Sequence, residues 1–207
     1  MSYGTYLKAA AVVGLVVLTS CSPDSSESAK KTEPQAAKPA AEQPISGKTA
    51  FWEMYKSAHA WTTDLTPLAL ESKAIPGIKN TDGKAAMWTA TFGSPSKHEA
   101  RVFTYAIAAH PPDVYKGITV GNSRPWSGPA PSALPFSGSD IATDSDAAYQ
   151  AALAQASAWV SKNPNQEVSF TLGNAARFSG PVWYVLWGDK KAGHAVYVSA
   201  KTGQIVK

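Results

Sequence analysis

The chain has 207 residues, of which 44% are hydrophobic and 16% charged, and its formal net charge is +4. The basic residues are scattered without a run of four or more, so nucleic acid is not expected to be a partner. A single cysteine excludes an intrachain disulfide. Without its N-terminal segments the chain keeps about 160 residues, enough for one domain or for two small halves that share a core.

The N-terminal segment predicts a secretory signal peptide over residues 1–20. Residues 1–8 carry one positive charge, and an apolar run of about ten residues follows at 9–18. A membrane-spanning helix needs about 20 apolar residues, so the segment is expected to be cleaved.

The tetrapeptide Leu18-Thr19-Ser20-Cys21 resembles the lipobox of bacterial lipoproteins. The resemblance implies that Cys21 becomes the first residue of the mature chain and carries diacylglycerol and an N-acyl chain such as palmitate, which together anchor firmly. Ser22 then implies the outer membrane facing the periplasm, or the outer face of the plasma membrane in an organism with one membrane. The alternative is an ordinary signal peptide cleaved elsewhere, which leaves a free thiol.

A tether is predicted from the lipidated Cys21 to residue 48. Residues 22–48 are mostly Ser, Pro, Ala, Glu and Lys with almost no large apolar side chain. This composition cannot bury enough surface to offset the entropy of ordering, so the segment is expected to be disordered.

The first folded unit is predicted over residues 49–120. Apolar residues at helical spacing predict a helix over about 49–63, ended by Pro67. A short apolar stretch at 68–70 precedes a turn-rich segment. Strands are predicted over 85–92, 101–108 and 115–120.

A second unit is predicted over residues 141–207, after a Pro/Gly-rich linker at 121–140 that is expected to lie on the domain. The second unit repeats the order of the first, with a helix over 144–161. Its strands are predicted over 168–172, 182–187, 195–199 and 204–206.

Matched tryptophans favour an internal duplication. Residues 58–61 and 156–159 share an Ala-x-Ala-Trp pattern, and Trp88 and Phe92 have the same spacing as Trp183 and Trp187. The chance similarity of two helix-plus-hairpin units is the alternative.

The C-terminal residues 183–185 and 196–206 resemble the end of a PepSY-type domain, although Ser199 stands where that family often has Asp. The resemblance covers about 144–207, and more faintly 49–120. It implies an α+β fold in which helices pack on one face of an antiparallel sheet. It also implies a noncatalytic domain without cofactors, of a kind that binds or inhibits peptidases in some members.

One pair of residues raises the question of an enzyme. Ser94 and Lys97 have the Ser-x-x-Lys spacing of penicillin-recognising enzymes, but that mechanism needs the serine at the start of a buried helix. Here Ser94 falls in a proline-containing turn between strands. We therefore predict that the chain is not an enzyme.

Metal binding has little support in the sequence. Asp140, Asp144 and Asp146 precede the second helix, where capping and the helix dipole account for carboxylates. A calcium loop would also need a glycine for its sharp turn. The four histidines are dispersed, so no zinc site is predicted.

Trp183 and Trp187 are the candidate contacts for a ligand or partner. In an extended strand they share one face, and Tyr184 and Leu186 share the other, so both faces are apolar. One face could meet the helices while the other meets a partner, sugar or lipid. Core packing of all four side chains is the alternative.

The sequence as a whole predicts a membrane-anchored binding or regulatory module of the cell envelope. Membrane lipid through Cys21 and an envelope protein, with a peptidase as one candidate, are its expected partners. The alternative function is a carrier of a small apolar ligand or lipid between helix and sheet.

Overall fold

The computed structural model describes residues 43–207, so the predicted signal peptide, Cys21 and residues 22–42 lie outside the described residues. Two α-helices are present in this range, α1 (Gly47–Ala58) and α2 (Ser145–Lys162), together with a short 3-10 helix at Gly138–Asp140. The strands are β1 (Ile45–Ser46), β2 (Thr66–Lys73), β3 (Lys84–Ala85), β4 (Met87–Ser94), β5 (Glu99–Ala106), β6 (Gly117–Val120), β7 (Arg124–Pro125), β8 (Val168–Gly173), β9 (Val182–Trp187), β10 (His194–Ser199) and β11 (Ile205–Val206).

Both helices begin at capping residues. Ser46 caps α1 and Asp144 caps α2, each through its side-chain oxygen, which satisfies backbone N–H groups that the first turn leaves unpaired. α1 ends at Ala58, so the prediction that Pro67 ends this helix is wrong. Pro67 instead lies in β2, beside an irregularity in its pairing with β4.

One antiparallel sheet contains most of the strands. Its order is β11-β10-β9-β8-β2-β4-β5-β6, and β7 also pairs with β5. The two predicted units meet where β2 pairs with β8, with Leu70 opposite Leu172. β1 and β3 form a separate two-stranded sheet.

The core lies on one face of the large sheet. The register places the buried side chains of neighbouring strands in line: Leu70, Trp88, Ala90, Phe103, Phe170, Leu172, Trp183, Val185 and Val198. Phe51 and Met54 of α1 and Ala148 and Ala152 of α2 cover this face and are fully buried. The predicted α+β class, with helices packed on an antiparallel sheet, is therefore confirmed.

In residues 43–207, a helix followed by four strands that are neighbours in the large sheet occurs twice. The first set is α1 with β2, β4, β5 and β6, and the second is α2 with β8, β9, β10 and β11. Trp88 and Trp183 are the second residues of β4 and β9. The indole N–H of Trp88 donates to the carbonyl of Ile45 (3.0 Å), and that of Trp183 donates to the carbonyl of Thr143 (2.9 Å). Each acceptor directly precedes the capping residue of its helix. Each half thus contains an equivalent hydrogen bond from a strand tryptophan to the residue before its helix cap, in addition to the same element order.

The start of α1 packs directly on this tryptophan pair. A β-carbon at Gly47 would lie 2.6 Å from Cη2 of Trp183 and 3.1 Å from Cη2 of Trp88. Gly47 N–H also donates to Oγ of Ser145 (2.7 Å), at the start of α2. Glycine therefore allows the two helix starts to meet above the two indoles.

Within residues 43–207, neither helix is long and apolar enough to cross a membrane.

Candidate functional site

No helix of the described residues covers the second face of the sheet, which we call the open face. Its middle is a row of side chains in register across seven strands, which we call the central row. The central row consists of Tyr197, Tyr184, Thr171, Glu71, Thr89, Thr104 and Thr119. All seven side chains are half-buried. The open face is therefore a mainly uncharged, hydroxyl-bearing surface.

Four side chains form a cluster at one end of the central row, which we call the arginine–tyrosine cluster. Nη2 of Arg177 donates to the hydroxyl of Tyr197 (2.8 Å), and the guanidinium carbon lies 4.5 Å from the ring centre of Phe178. The rings of Tyr197 and Tyr184 are 5.1 Å apart. Burial, and secondarily the neighbouring Tyr197, raises the pKa of Tyr184. Arginine and tyrosine are enriched in the energetic centres of protein interfaces.

The predicted linker lies along one margin of the open face. Trp126 covers Gly93, where a β-carbon would come within 2.9 Å of the indole ring. Further along, Leu134 N–H donates to the carbonyl of Asn174 (2.9 Å), and Ala176 N–H donates to that of Pro131 (2.8 Å). Residues 126–135 and 174–178, which we call the wall, are thus joined along the ends of β4, β2 and β8, and the wall ends at Arg177 and Phe178 of the arginine–tyrosine cluster. Phe136 turns into the core, where it packs against Phe51 of α1.

Asp64 fixes the β4–β5 turn beside this wall. Its carboxylate accepts hydrogen bonds from the hydroxyl of Thr62, from the hydroxyl of Ser94 (2.7 Å) and from the backbone N–H of Ser96 (2.7 Å). These bonds, that of Thr62 first, hold the pKa of Asp64 well below its usual range. Ser94 is fully buried, and the backbone N–H of Lys97 donates to its hydroxyl (3.3 Å). The Ser-x-x-Lys residues therefore build a turn.

We expect Asp64→Asn to destabilise the protein at pH 7, because the amide cannot accept all three hydrogen bonds. A carboxylate with a lowered pKa stabilises the fold above its unfolded value, about 3.9, and this contribution is lost as the pH falls through the folded value. The difference between wild type and variant in urea unfolding should therefore shrink from pH 7 to pH 3. Asp113→Asn, at an exposed site, is the control. An equal difference at both pH values would contradict this role.

The structure places Trp183 and Trp187 in the core. Their exposed fractions are 0% and 3%, because both side chains point towards the helices. Core packing, the alternative interpretation, accounts for Trp183, and Trp187 contributes only to the lining of a small pocket beside Tyr149 and Val160 of α2. The opposite side of β9 carries Tyr184, which belongs to the open face.

The acidic residues before α2 have structural contacts. Asp144 caps α2 and also accepts from the backbone N–H of Lys48 in α1 (2.8 Å). Asp140 pairs with Lys201 at 3.1 Å. Among residues 43–207, no group of three His, Cys, Asp or Glu side chains is placed to hold a metal ion.

Sequence reasoning missed the arginine–tyrosine cluster because its members are distant along the chain. Arg177 and Phe178 lie in a loop, whereas Tyr184 and Tyr197 lie in β9 and β10. The alternation within residues 182–187 placed Tyr184 opposite the tryptophans, and this was the available signal.

No protein-family model matches the chain. No curated protein matches it either. A similar solved structure is described as the crystal structure of a "putative lipoprotein" from Clostridium difficile 630, with 13% identity and a TM-score of 0.48, and the match covers 81% of this chain and 94% of that chain. A similarity of this level assigns neither a fold family nor a function, so the PepSY resemblance stays a prediction.

Proposed function

We propose that this chain is a lipid-anchored lipoprotein of the cell envelope that acts as a noncatalytic binding module, with a protein partner docked on the open face of its sheet. The observation that carries the proposal is the arginine–tyrosine cluster, which lies on a face that no described helix covers. Large, amphipathic side chains of this kind provide contact area at low entropic cost.

The size of the open face suits a protein partner. Six strand spacings of about 4.8 Å separate Tyr197 from Thr119, which makes the central row about 29 Å wide. Strands of six residues extend about 20 Å at about 3.3 Å per residue. The resulting area of roughly 600 Å² approaches the 800 Å² or so that each partner contributes to a standard interface.

The charge on this face favours an acidic partner. Glu71 is paired with Lys73, so its charge is balanced within the face. Arg177 lies at one end of the wall, and Arg124, which pairs with Ala100 of β5, lies near the other. We therefore propose a folded envelope protein with an acidic contact surface, and the PepSY resemblance makes a peptidase one candidate.

Within residues 43–207, the apolar-carrier alternative has only a pocket of about 210 Å³ at the edge between helix and sheet, where Tyr149 and Val160 of α2 meet Trp187. The space between the helices and the sheet is filled by large side chains that are fully buried, among them Phe51, Met54, Trp88, Phe170 and Trp183.

We expect Cys21→Ser to release the protein from the membrane fraction, because no acyl chain can then be attached. Fractionation of cells that express each form tests this, and intact-mass analysis of the wild type should show the signal peptide removed and Cys21 acylated. Lys31→Ser, in the predicted tether, should leave the protein in the membrane. A Cys21→Ser chain that stays membrane-bound after a salt wash would contradict the lipid anchor.

The docking face is tested by a new charge within the central row. We expect Thr104→Glu to abolish recovery of the envelope partner in affinity capture with the membrane-anchored chain, because it places an unpaired carboxylate against an acidic surface. Ala154→Glu, at an exposed site of α2, should leave recovery unchanged. Equal recovery with both variants would contradict docking on the open face.

A further inference from the structure

A pocket of about 420 Å³ lies where the wall meets the β4–β5 turn. Its lining residues include Thr66, Pro95, His98, Trp126, Pro129 and Pro135. Most of this lining is apolar ring surface, and the hydroxyls of Thr66 and Ser127 add polar groups. We call it the Trp126 pocket.

Hydrogen bonds fix both sides of the Trp126 pocket. On one side Asp64 holds the β4–β5 turn, and the backbone N–H of Trp126 donates to the carbonyl of His98 (2.9 Å). On the other side the amide of Asn174 donates to the carbonyl of Pro135 (2.9 Å), and the N–H of Phe136 donates to that of Pro67 (3.1 Å). A site that is already formed avoids the entropic cost of ordering loops on binding.

Two positively charged residues, Arg124 and Lys97, lie beside the pocket, whereas Glu99, which pairs with Pro125, alternates to the other face of β5. Arg124 of β7 pairs with Ala100 and lies two residues before Trp126, about 7 Å along an extended backbone. Lys97 lies in the adjoining turn and is exposed. Asp64, the carboxylate of that turn, already accepts three hydrogen bonds. The rim therefore attracts carboxylates.

We propose that the Trp126 pocket binds a proline ring from an extended, acidic segment of the partner. Grooves lined by aromatic rings recognise proline-rich segments because the polyproline conformation is preformed and its backbone is unpaired. The pocket supplies the indole ring and nearby hydroxyls, and Arg124 and Lys97 supply charge for flanking carboxylates. This inference rests on the proposed function, since it names the kind of segment that the partner presents at one end of the open face.

The test uses a defined probe, an acetylated and amidated octapeptide of the order Ala-Glu-Pro-Ala-Pro-Glu-Ala-Ala. It is titrated into the ¹⁵N-labelled mature chain carrying Cys21→Ser, and binding is followed by NMR at the indole N–H of Trp126. We expect Trp126→Ala and Arg124→Glu each to weaken binding about tenfold or more. Lys190→Glu, in the exposed β9–β10 turn, should leave the affinity unchanged. Peptides with Ala for Pro, or with Lys for Glu, should bind about tenfold more weakly.

Arg124 is exposed, so Arg124→Glu tests the pocket even if Trp126→Ala fails to fold. Unchanged affinity in Arg124→Glu, or equal binding of the Pro-to-Ala peptide, would overturn the proposal. Absence of binding by the acidic peptide would overturn it too. If Thr104→Glu still abolished capture of the envelope partner, the open face would stand as the docking site without this pocket.

Discussion

Replacing Trp183 with alanine is expected to lower the free energy of unfolding by about 3–5 kcal/mol, the usual cost of deleting a large aromatic side chain from a core. Trp183 is fully buried, its ring packs edge-on against Trp88 with centres 6.3 Å apart, and its N–H bonds the carbonyl of Thr143. The variant therefore loses side-chain volume from the core. It also loses the hydrogen bond that connects β9 to the start of α2. Urea unfolding followed by circular dichroism measures the loss. Stabilities of single domains are about 5–15 kcal/mol, so the variant should be marginal.

Two further variants separate the causes. Trp183→Phe retains most of the ring volume but leaves the Thr143 carbonyl without its partner, so we expect a smaller loss of about 1–3 kcal/mol. Trp52→Ala removes a tryptophan of α1 that is 38% exposed, and it should cost less than Trp183→Ala. Equal losses for Trp52→Ala and Trp183→Ala would show that the buried pair does not organise the core.

Replacing Tyr197 with alanine is expected to weaken partner binding about 30-fold, which corresponds to the 2 kcal/mol of a typical interface hot spot. Tyr197 contacts Arg177, Phe178 and Tyr184, so its removal also frees the arginine side chain that it holds. Calorimetric titration of the captured partner into each variant measures the change.

The control is a tyrosine outside the open face. Tyr115 is 63% exposed and precedes β6, and Tyr115→Ala should bind the partner as the wild type does. If Tyr115→Ala weakened binding as much as Tyr197→Ala, the contact surface would include the β6 edge and the arginine–tyrosine cluster would not be its centre.

Strong periodicity explains which elements could be predicted. The strand predicted over residues 182–187 matches β9 in full. The helix predicted over 144–161 is found one residue later at both ends, as α2. By contrast, β2 was predicted only as a short apolar stretch at 68–70. Its outward residues Glu71 and Lys73 and the proline at position 67 are typical of a loop, and their place in the centre of the sheet depends on pairing with β8 and β4.

The candidate site was less predictable than the fold because a strand with two apolar faces does not reveal which face is covered. From the alternation in residues 182–187, the side that faces a partner could have been either the one with the two tryptophans or the one with Tyr184 and Leu186. Only the positions of the helices decide between these faces, and they bury Trp183 and Trp187. The wall could not be predicted from the sequence either, because the contact of Trp126 with Gly93 joins residues that are far apart in the chain.

Site-specific photocrosslinking in intact cells tests the docking face most directly. A photoreactive side chain is placed at Thr89, in the central row, or at Ser157, on the exposed side of α2. Our account predicts one strong adduct with an envelope protein from position 89 and none from position 157. An adduct with the same protein from position 157 and none from position 89 would contradict it.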